Sequence, residues 1–409
     1  MTNRRRRRRQ PAATDAVVAG HLCLDFIPTM EQRPGELDSW LRPGKLVRVG
    51  PAVTATGGVV SNAGLALRRL GVATRLMGKV GNDLIGRAIL DGLRRVDPAA
   101  TEGLRVSPTE AGSYTIVLSP PGLDRMFLHY PATNDTFGAA DVAYHRLRGA
   151  RLFHFGYPPL MRRMYQDGGR ELAAIFRRVK QCGLTTALDM SMPDPESDAG
   201  RADWPAILKR TLPFVDVYLP SLQETLLMLD RPRFERLTRR DGPDGILRQA
   251  DGTLLRAMAD QLLSMGVAIA ALKVGEQGLY VRTAGDASRF TAMGPCAPSH
   301  VPAWLNRELL SPCFRVRVVG TTGSGDSTIA GFLAGLLRGL PLEETMTVAV
   351  GVGAHCCEQA DATSGIPTWA ALRKRIRSGW NRLPVTMALP GWRHDRKQGI
   401  WIGPEDNCR

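Results

Sequence analysis

Apolar and polar positions along the chain follow two periods in turn, which predicts strands that alternate with helices. Short apolar runs rich in β-branched residues have the length of buried strands, and they cover residues 17–25, 74–80, 152–155, 185–189, 215–219, 268–273 and 279–283. Segments with helical spacing separate many of them, at residues 61–71, 171–181, 222–229 and 253–265. Repeated strand–helix units predict an α/β fold with a central, mainly parallel sheet and helices on both faces.

Some segments do not follow this rhythm. Residues 46–53 alternate as a strand, and residues 113–130 read as a hairpin around a Pro-Pro-Gly turn, so we predict a small accessory β sheet, the lid. Residues 284–313 contain several prolines and no clear period, which predicts a long loop. The predicted organisation is a basic disordered tail over residues 1–14, one domain over 15–383, and a C-terminal extension over 384–409.

A glycine turn at residues 323–325 is the most informative motif. Val318 and Val319 before it predict a strand, and the apolar spacing after it predicts a helix. The first amides of a helix lack internal partners and attract anions, while glycines let a phosphate approach the backbone closely. Asp326 is therefore either an ordinary helix cap or a base that takes the proton of a hydroxyl attacking a phosphoryl group.

The stretch from Gly320 to Asp326 resembles the D-T-T-G-A-G-D signature of the ribokinase-like (PfkB) carbohydrate kinases. This resemblance implies that Gly323, Ser324 and Gly325 form an anion hole and that Asp326 is the catalytic base. Gly320 stands in place of the first Asp, which helps to hold a monovalent cation in many members. We therefore expect little activation by potassium.

Further segments match the same family in order, and they imply a substrate site. Gly57, Gly58 and Asn62 resemble its G-G-x-x-x-N segment, which holds sugar hydroxyls, although a helix cap is the alternative role for Asn62. Asp25, placed at the end of the predicted first strand, matches a carboxylate that grips sugar hydroxyls. Asn134 follows the lid in a stretch that resembles the family's G-A-N, which makes it a candidate near the substrate.

The resemblance also implies ATP and Mg²⁺ as cofactors. Ser221 and Glu224 occupy the place of the family's N-x-x-E motif, in which the Glu organises Mg²⁺ through water, and Ser221 replaces the Asn. Lys273, Gly275 and Gly278 resemble its nucleotide-binding strand end. Lys273 either pairs with phosphate or simply extends its charge from a strand end into water.

Charge and cysteine content refine this picture. The net charge is +15, of which Arg4–Arg9 supply six, leaving +9 on the rest. The positive excess suits anionic substrates such as nucleotides, and the arginine run predicts a non-specific, solvated tail with no specific nucleic-acid partner. No stretch is apolar enough to predict a membrane span. Seven scattered cysteines without metal-ligand spacing predict reduced thiols in a cytoplasmic protein.

We therefore predict an ATP-dependent kinase for a sugar or sugar-like alcohol, with a possible homodimer through the lid, as the family resemblance implies. Two alternatives remain open. A nucleoside kinase shares the machinery and is distinguished by a larger apolar acceptor pocket. A non-catalytic sugar- or nucleotide-binding regulator is kept open by Gly320 and Ser221. The sequence does not name the acceptor.

Overall fold

The computed structural model describes residues 14–30, 43–119, 126–242 and 245–407. Its strands are β1 (Ala16–Gly20), β2 (Cys23–Pro28), β3 (Ala52–Gly57), β4 (Thr74–Met77), β5 (Lys79–Gly81), β6 (Arg105–Ser107), β7 (Tyr114–Leu118), β8 (Met126–Tyr130), β9 (Leu152–Gly156), β10 (Thr185–Leu188), β11 (Val217–Tyr218), β12 (Ile269–Lys273), β13 (Leu279–Thr283), β14 (Glu308–Ser311), β15 (Arg393–Asp395) and β16 (Ile400–Ile402).

The α-helices separate or flank these strands. They are α1 (Val59–Arg69), α2 (Leu84–Val96), α3 (Thr133–Thr136), α4 (Arg162–Tyr165), α5 (Arg170–Gln181), α6 (Asp198–Arg201), α7 (Trp204–Thr211), α8 (Leu222–Leu229), α9 (Arg231–Asp241), α10 (Gly245–Gln249), α11 (Gly252–Ser264), α12 (Ala287–Thr291), α13 (Ser324–Leu337), α14 (Leu342–Cys357) and α15 (Trp369–Arg377). In the described part of the chain, no helix is both long enough and apolar enough to cross a membrane.

A ten-stranded sheet forms the centre of the molecule, in the order β15-β16-β14-β13-β12-β11-β10-β9-β1-β4. The strands from β12 to β4 run parallel, whereas β13, β14, β16 and β15 add antiparallel pairings. Strands β1, β9 and β10 are buried along their whole length because helices cover both faces. The predicted α/β class with a mainly parallel sheet is confirmed.

Two apolar clusters lie on opposite faces of this sheet. One joins the sheet to α1, α13 and α14, and the other joins it to α5, α7, α8 and α11. Helices α13 and α14 approach each other closely at Gly331, where a Cβ atom would lie 2.7 Å from the Cα of Ala349. This packing fixes the start of α13 relative to the sheet edge.

The lid is a second sheet in the order β3-β2-β7-β8. Residues 17–25, predicted as one strand, divide at the turn from Gly20 to Leu22, so Asp25 lies on the lid and not at the end of β1. Gly20 makes this turn possible, because its φ is +122° and a Cβ atom there would lie 2.4 Å from the carbonyl oxygen of Gly156. The tip of the β7–β8 hairpin lies outside the described residues.

Other expectations are wrong in position. The lid strand predicted over 46–53 is β3, over residues 52–57, and Leu46 is 93% exposed. Val318 and Val319 form no strand, because the amides of Val319 and Gly320 donate to the carbonyl of Cys357 at the end of α14. The region 284–313, predicted as a loop, contains the fully buried strand β14.

The C-terminal segment predicted as an extension is paired with the main sheet. Strand β16 pairs with β14, and β15 pairs with β16. The buried side chain of Arg307 donates from Nε to Asp406 Oδ2 at 3.0 Å and from Nη2 to Glu343 Oε1 at 2.6 Å. These contacts connect the last described residues to the strand that the sequence pattern did not predict.

Candidate active site

A cleft opens where the parallel strands end. His21 comes just after β1, Tyr157 after β9 and Asp189 after β10, while Lys273 is the last residue of β12. Because parallel strands end at the same sheet edge, these four side chains lie around one space. The cleft has a volume of about 490 Å³ and is bounded on its far side by the lid.

Asp326 lies in the first turn of α13, at the bottom of this cleft. Gly323 caps the helix in the left-handed conformation, with φ +73°, and a Cβ atom there would lie 2.3 Å from the Cβ of Ala362. Asp326 is 3% exposed, and its Oδ2 accepts hydrogen bonds from Asn62 Nδ2 at 3.0 Å and from the Tyr157 hydroxyl at 2.7 Å. Its Oδ1 has no hydrogen-bond partner among the described residues.

This arrangement suits a proton acceptor. Burial raises the pKa of the Asp326 carboxyl, and the hydrogen bonds from Tyr157 and Asn62 oppose that shift. The two donors hold one oxygen and leave the other for a ligand. A general base needs an acceptor atom within hydrogen-bond distance of the hydroxyl that it deprotonates, and Asp326 lines the cleft with Oδ1 left without a partner among the described residues.

The three residues of the predicted anion hole are not equivalent. Gly323 and Gly325 line the cleft. Ser324 is turned towards Thr321 instead, because both its amide, at 3.2 Å, and its hydroxyl, at 2.9 Å, donate to the carbonyl oxygen of Thr321. Close backbone approach to an anion is therefore available at the two glycines in this conformation.

Glu224 borders the cleft from the start of α8. It forms a capping box with Ser221, in which the Ser221 amide donates to Glu224 Oε2 at 2.6 Å and the Glu224 amide donates to Ser221 Oγ at 3.1 Å. Among the described residues, no group of three acidic, His or Cys side chains is arranged to hold a metal ion. One cleft carboxylate still fits Mg²⁺, which keeps several waters when protein-bound.

Lys273 and Asp189 form a buried ion pair beside Glu224. Lys273 Nζ lies 2.5 Å from Asp189 Oδ1 and donates to the carbonyl oxygen of Leu219 at 2.8 Å. Burial raises the pKa of Asp189 to about 8, against the effect of Lys273. Burial lowers the pKa of Lys273, but Asp189, Glu224 and Asp326 outweigh it and the pKa lies above its ordinary value. Lys273 is therefore charged, because the carboxyl groups of Asp189, Glu224 and Asp326 favour its ammonium form.

Asp25 lies on the cleft-facing row of the lid. Its Oδ1 accepts a hydrogen bond from Cys23 Sγ at 3.3 Å, and burial raises the pKa of its carboxyl. A Cβ atom at Gly57 would lie 2.2 Å from Asp25 Oδ2, so glycine there makes room for the carboxylate. Gly58, with φ +82°, lines the cleft beside His21.

Two histidines were not predicted as site residues. His21 Nε2 lies 3.2 Å from His129 Nε2, and His129 Nδ1 lies 3.0 Å from the Thr115 hydroxyl. Burial lowers the pKa of both imidazoles, and their mutual repulsion lowers that of His21 further. Tyr157 and Asp189 were missed as well. Asp189 ends a predicted strand and Tyr157 comes two residues after another, and this placement at strand ends is the signal that points to this edge.

Other predicted site residues are placed away from the cleft. Asn134 is fully buried, and both atoms of its amide bond to the backbone of Leu22, at 3.1 and 3.0 Å. The Ser221 hydroxyl is occupied as the helix cap. Gly275 and Gly278 shape the turn between β12 and β13, where a Cβ atom at Gly278 would lie 2.0 Å from the carbonyl oxygen of Ser311. Neither glycine is among the described residues that line the cleft.

Comparison with known proteins identifies the family and the fold. The model for pfkB family carbohydrate kinases matches residues 13–369. An uncharacterized sugar kinase of Archaeoglobus fulgidus is 28% identical over 303 residues, covering 74% of this chain and 98% of that protein. A putative ribokinase II from E. coli, solved with ATP and Mg²⁺, has a TM-score of 0.63 at 19% identity and covers 89% of this chain and 99% of its own. A Burkholderia thailandensis nucleoside kinase, solved with inosine, has a TM-score of 0.62 at 19% identity. The match covers 90% of this chain and 100% of that chain.

Proposed function

The chain belongs to the pfkB family of carbohydrate kinases, and we propose that it phosphorylates a hydroxyl of a neutral sugar or nucleoside with Asp326 as the general base. It is an ATP-dependent phosphotransferase that uses an alcohol group as acceptor. The observation that carries the assignment of the base is the position of Asp326, whose Oδ2 is held by Asn62 and Tyr157 while Oδ1 has no protein partner.

The reaction follows from these positions. The acceptor oxygen forms a bond to the γ-phosphorus of ATP, its proton passes to Asp326 Oδ1, and the bond from that phosphorus to the β–γ bridging oxygen breaks to release ADP. The amides of Gly323 and Gly325, at the positive end of α13, stabilise the transferred phosphoryl group. Ser324 contributes if its amide turns away from Thr321.

Glu224 is the residue that we propose for organising Mg²⁺ through water. Its Oε2 is used by the Ser221 amide, and the carboxylate borders the cleft. When bound with the triphosphate, Mg²⁺ supplies positive charge that offsets the phosphate oxygens. Of the predicted nucleotide-binding residues, Lys273 faces the cleft directly, while Gly275 and Gly278 hold the turn behind it.

The lining of the cleft supports an uncharged acceptor. Asp25, Asn62 and His21 are available to hydroxyl groups, with Asp25 repelling an anion placed beside it. Lys273 is the single Lys or Arg among the described cleft residues, and it lies at the phosphoryl end. A carboxylate or phosphate on the acceptor would therefore meet no lysine or arginine of the described cleft lining at the acceptor end.

A nucleoside is the second candidate within this class, and a specific observation favours it. Apolar side chains also line the cleft: Ile27, Val117, Phe127, Leu160, Met190 and Met192. A base would bury more apolar area against them than a free monosaccharide does. A small sugar would have to be held mostly by the polar groups of Asp25, Asn62 and His21.

The direct test is ADP release from ATP with neutral sugars, nucleosides, sugar acids and sugar phosphates. We expect turnover with members of the first two groups and weaker turnover with the anionic ones. Asp326→Asn preserves shape and removes the base, so kcat falls by about 10²–10⁴-fold while ATP affinity changes little. Near-normal turnover by this variant would contradict the role of Asp326. Ligand binding without ADP release by the wild-type protein would indicate a regulator instead.

The lid also supports a proposed homodimer. Its strands alternate, so Asp25, Thr115 and His129 face the cleft while the neighbouring residues face outward. Leu128 and Tyr130 on that outer face are 57% and 46% exposed. Sedimentation of the wild-type protein and a Leu128→Lys, Tyr130→Lys variant would show whether this face pairs.

The free cysteines of the described residues suit a reducing compartment, and we propose a cytoplasmic location.

A further inference from the structure

The Asp189–Lys273 pair lies where the transferred phosphoryl group is expected. A Cβ atom at Gly325 would lie 3.6 Å from Lys273 Cδ and 4.0 Å from its Nζ, so the lysine tip borders the glycine turn. The same Nζ is held by Asp189 Oδ1 and by the carbonyl oxygen of Leu219. The ammonium is thus fixed between the end of β12 and the start of α13.

The carboxylates around the Lys273 ammonium indicate its role in the cleft. Asp189, Glu224 and Asp326 supply three carboxylates around the phosphoryl end, and Lys273 is the single Lys or Arg among the described residues that line the cleft. A phosphoryl group placed there would be repelled by that acidic set. Positive charge from the protein therefore comes from Lys273, with the smaller contribution of the α13 amides.

We propose that Lys273 contacts the phosphoryl group during transfer and that Asp189 is a positioning residue that holds the ammonium in place. This inference rests on the proposed function of the cleft and adds a residue, Asp189, outside the glycine turn, the metal site and the acceptor site. Asp189 is 1% exposed and follows β10, so its carboxylate has a fixed direction. A lysine side chain is flexible when nothing holds its ammonium, and the two acceptors on Asp189 and Leu219 remove much of that freedom.

A second buried pair offers a matched control. Lys180 Nζ lies 2.8 Å from Asp216 Oδ2, and Asp216 is also 1% exposed. Asp216 precedes β11, whereas Asp189 follows β10, so the two pairs lie at opposite edges of the parallel strands. Loss of either pair removes a buried ion pair, but loss of the Lys180 pair leaves the cleft unchanged.

The experiment compares Lys273→Met and Asp189→Asn with Lys180→Met and Asp216→Asn, using an acceptor that the wild-type protein phosphorylates. We expect kcat to fall by about 10²–10³-fold in Lys273→Met. We expect a fall of about 10-fold to 100-fold in Asp189→Asn, with a smaller change in the KM for the acceptor. The control variants lose thermal stability and keep kcat within about threefold. A double variant, Lys273→Met with Asp189→Asn, removes both charges if a single variant fails to fold.

The pH profile separates positioning from a structural role. Lys273 faces Asp189, Glu224 on α8, Asp326 on α13 and the uncharged His154 on β9, and removing Asp189 takes away the carboxylate nearest to it. The pKa of Lys273 then falls. Activity that needs the ammonium is lost as pH rises through that pKa, so the alkaline limb of kcat moves to lower pH in Asp189→Asn and stays in place in Asp216→Asn.

Two outcomes distinguish this inference from the proposed function. If the wild-type protein releases no ADP with any acceptor in the panel, the proposed function fails. If it does release ADP and Lys273→Met turns over within threefold of Lys180→Met, the role of the pair is overturned. An unmoved alkaline limb in a folded Asp189→Asn variant would likewise overturn the positioning role.

Discussion

At the scale of single residues, the site depends on how its carboxylates are divided between hydrogen-bond partners. One oxygen of Asp326 accepts hydrogen bonds from Asn62 and Tyr157, and one oxygen of Asp189 accepts a hydrogen bond from Lys273. A buried carboxylate without donors would be driven to its neutral form, because desolvation penalises the charge. The hydrogen bonds from Asn62 and Tyr157 therefore oppose the rise in the pKa of Asp326 that burial causes, while its second oxygen has no partner among the described residues.

Tyr157→Phe tests this division of roles. The hydrogen bond from Tyr157 lowers the pKa of Asp326, so its loss raises that pKa. A base must be deprotonated to act, so the acid limb of kcat/KM should move to higher pH. Tyr218→Phe is the control, because the Tyr218 hydroxyl is buried without a hydrogen-bond partner in the protein. An acid limb that moves equally in both variants, or in neither, would contradict the coupling of Tyr157 to the base.

Gly320 bears on the predicted weak potassium dependence. A Cβ atom there would lie 3.0 Å from the carbonyl oxygen of Gln359 and 3.2 Å from the Cα of Ala360. A side chain at this position would therefore press against the backbone of residues 359 and 360, and Gly320 itself offers no carboxylate to a cation. Initial rates in potassium and in a large organic cation at equal ionic strength should differ little. A gain of tenfold or more with potassium would show that other groups complete a cation site.

At the scale of elements, the carboxyl ends of the parallel strands β1, β9, β10 and β12 and the first turn of α13 form the site together. Side chains along each lid strand point alternately into the cleft and away from it. The register of β2 therefore decides that Asp25 faces the cleft and Phe26 faces outward. A shift by one residue would exchange these faces. The register is held by the apolar outer row, in which Phe26 contacts Tyr114 edge-on and Tyr114 contacts Tyr130.

The C-terminal strands lead to a stability prediction. Asp406→Asn removes one carboxylate from Arg307, which is 4% exposed and keeps Glu343 as a partner, and should lower the free energy of unfolding by about 1.5–3 kcal/mol, since a buried charge loses one of its two carboxylates. Asp260→Asn breaks an ion pair with Arg282 whose carboxylate is 46% exposed, and should cost less than about 1 kcal/mol. Urea denaturation of both variants measures the difference. Equal stability losses would mean that the C-terminal segment is only loosely tied to β14.

At the scale of the whole molecule, the predicted basic tail precedes every residue of the proposed site in the sequence. Arg4–Arg9 lie outside the described residues and supply six of the +15 charges. Deleting residues 2–12 should keep kcat/KM within about twofold, because charged termini tolerate truncation. Retention on heparin should weaken, since each lost arginine removes a phosphate-like contact. Lost catalysis in a folded deletion variant would show that the tail reaches the cleft.

The whole molecule also shows why the site has so few local signals. Asn62 and Asp326, joined by a hydrogen bond, are 264 positions apart, and Lys273 and Asp189 are 84 apart. The first contact exists because α1 packs against α13 on one face of the sheet. The second exists because the sheet order places β10 and β12 on either side of β11.

The sequence by itself determined the features that depend on short-range physics. Strand and helix periods identified the α/β class and the bounds of α8, residues 222–229, and β13, residues 279–283. The glycine turn with Asp326 at a helix start was predictable because free amides and glycine conformation are local properties. The family resemblance then ordered Gly58, Asn62 and Glu224 around it.

Tertiary structure alone decided which side chains meet. Asn134 matches a substrate-binding position in sequence. In the structure its side-chain amide instead forms hydrogen bonds with the backbone of Leu22, which is distant in the sequence. Tyr157 and Asp189 follow strands like any other, and only the strand order brings them to Asp326 and Lys273. Strand β14 was missed because its partners, β13 and β16, come from distant positions, and pairing of that kind leaves no period in the local sequence.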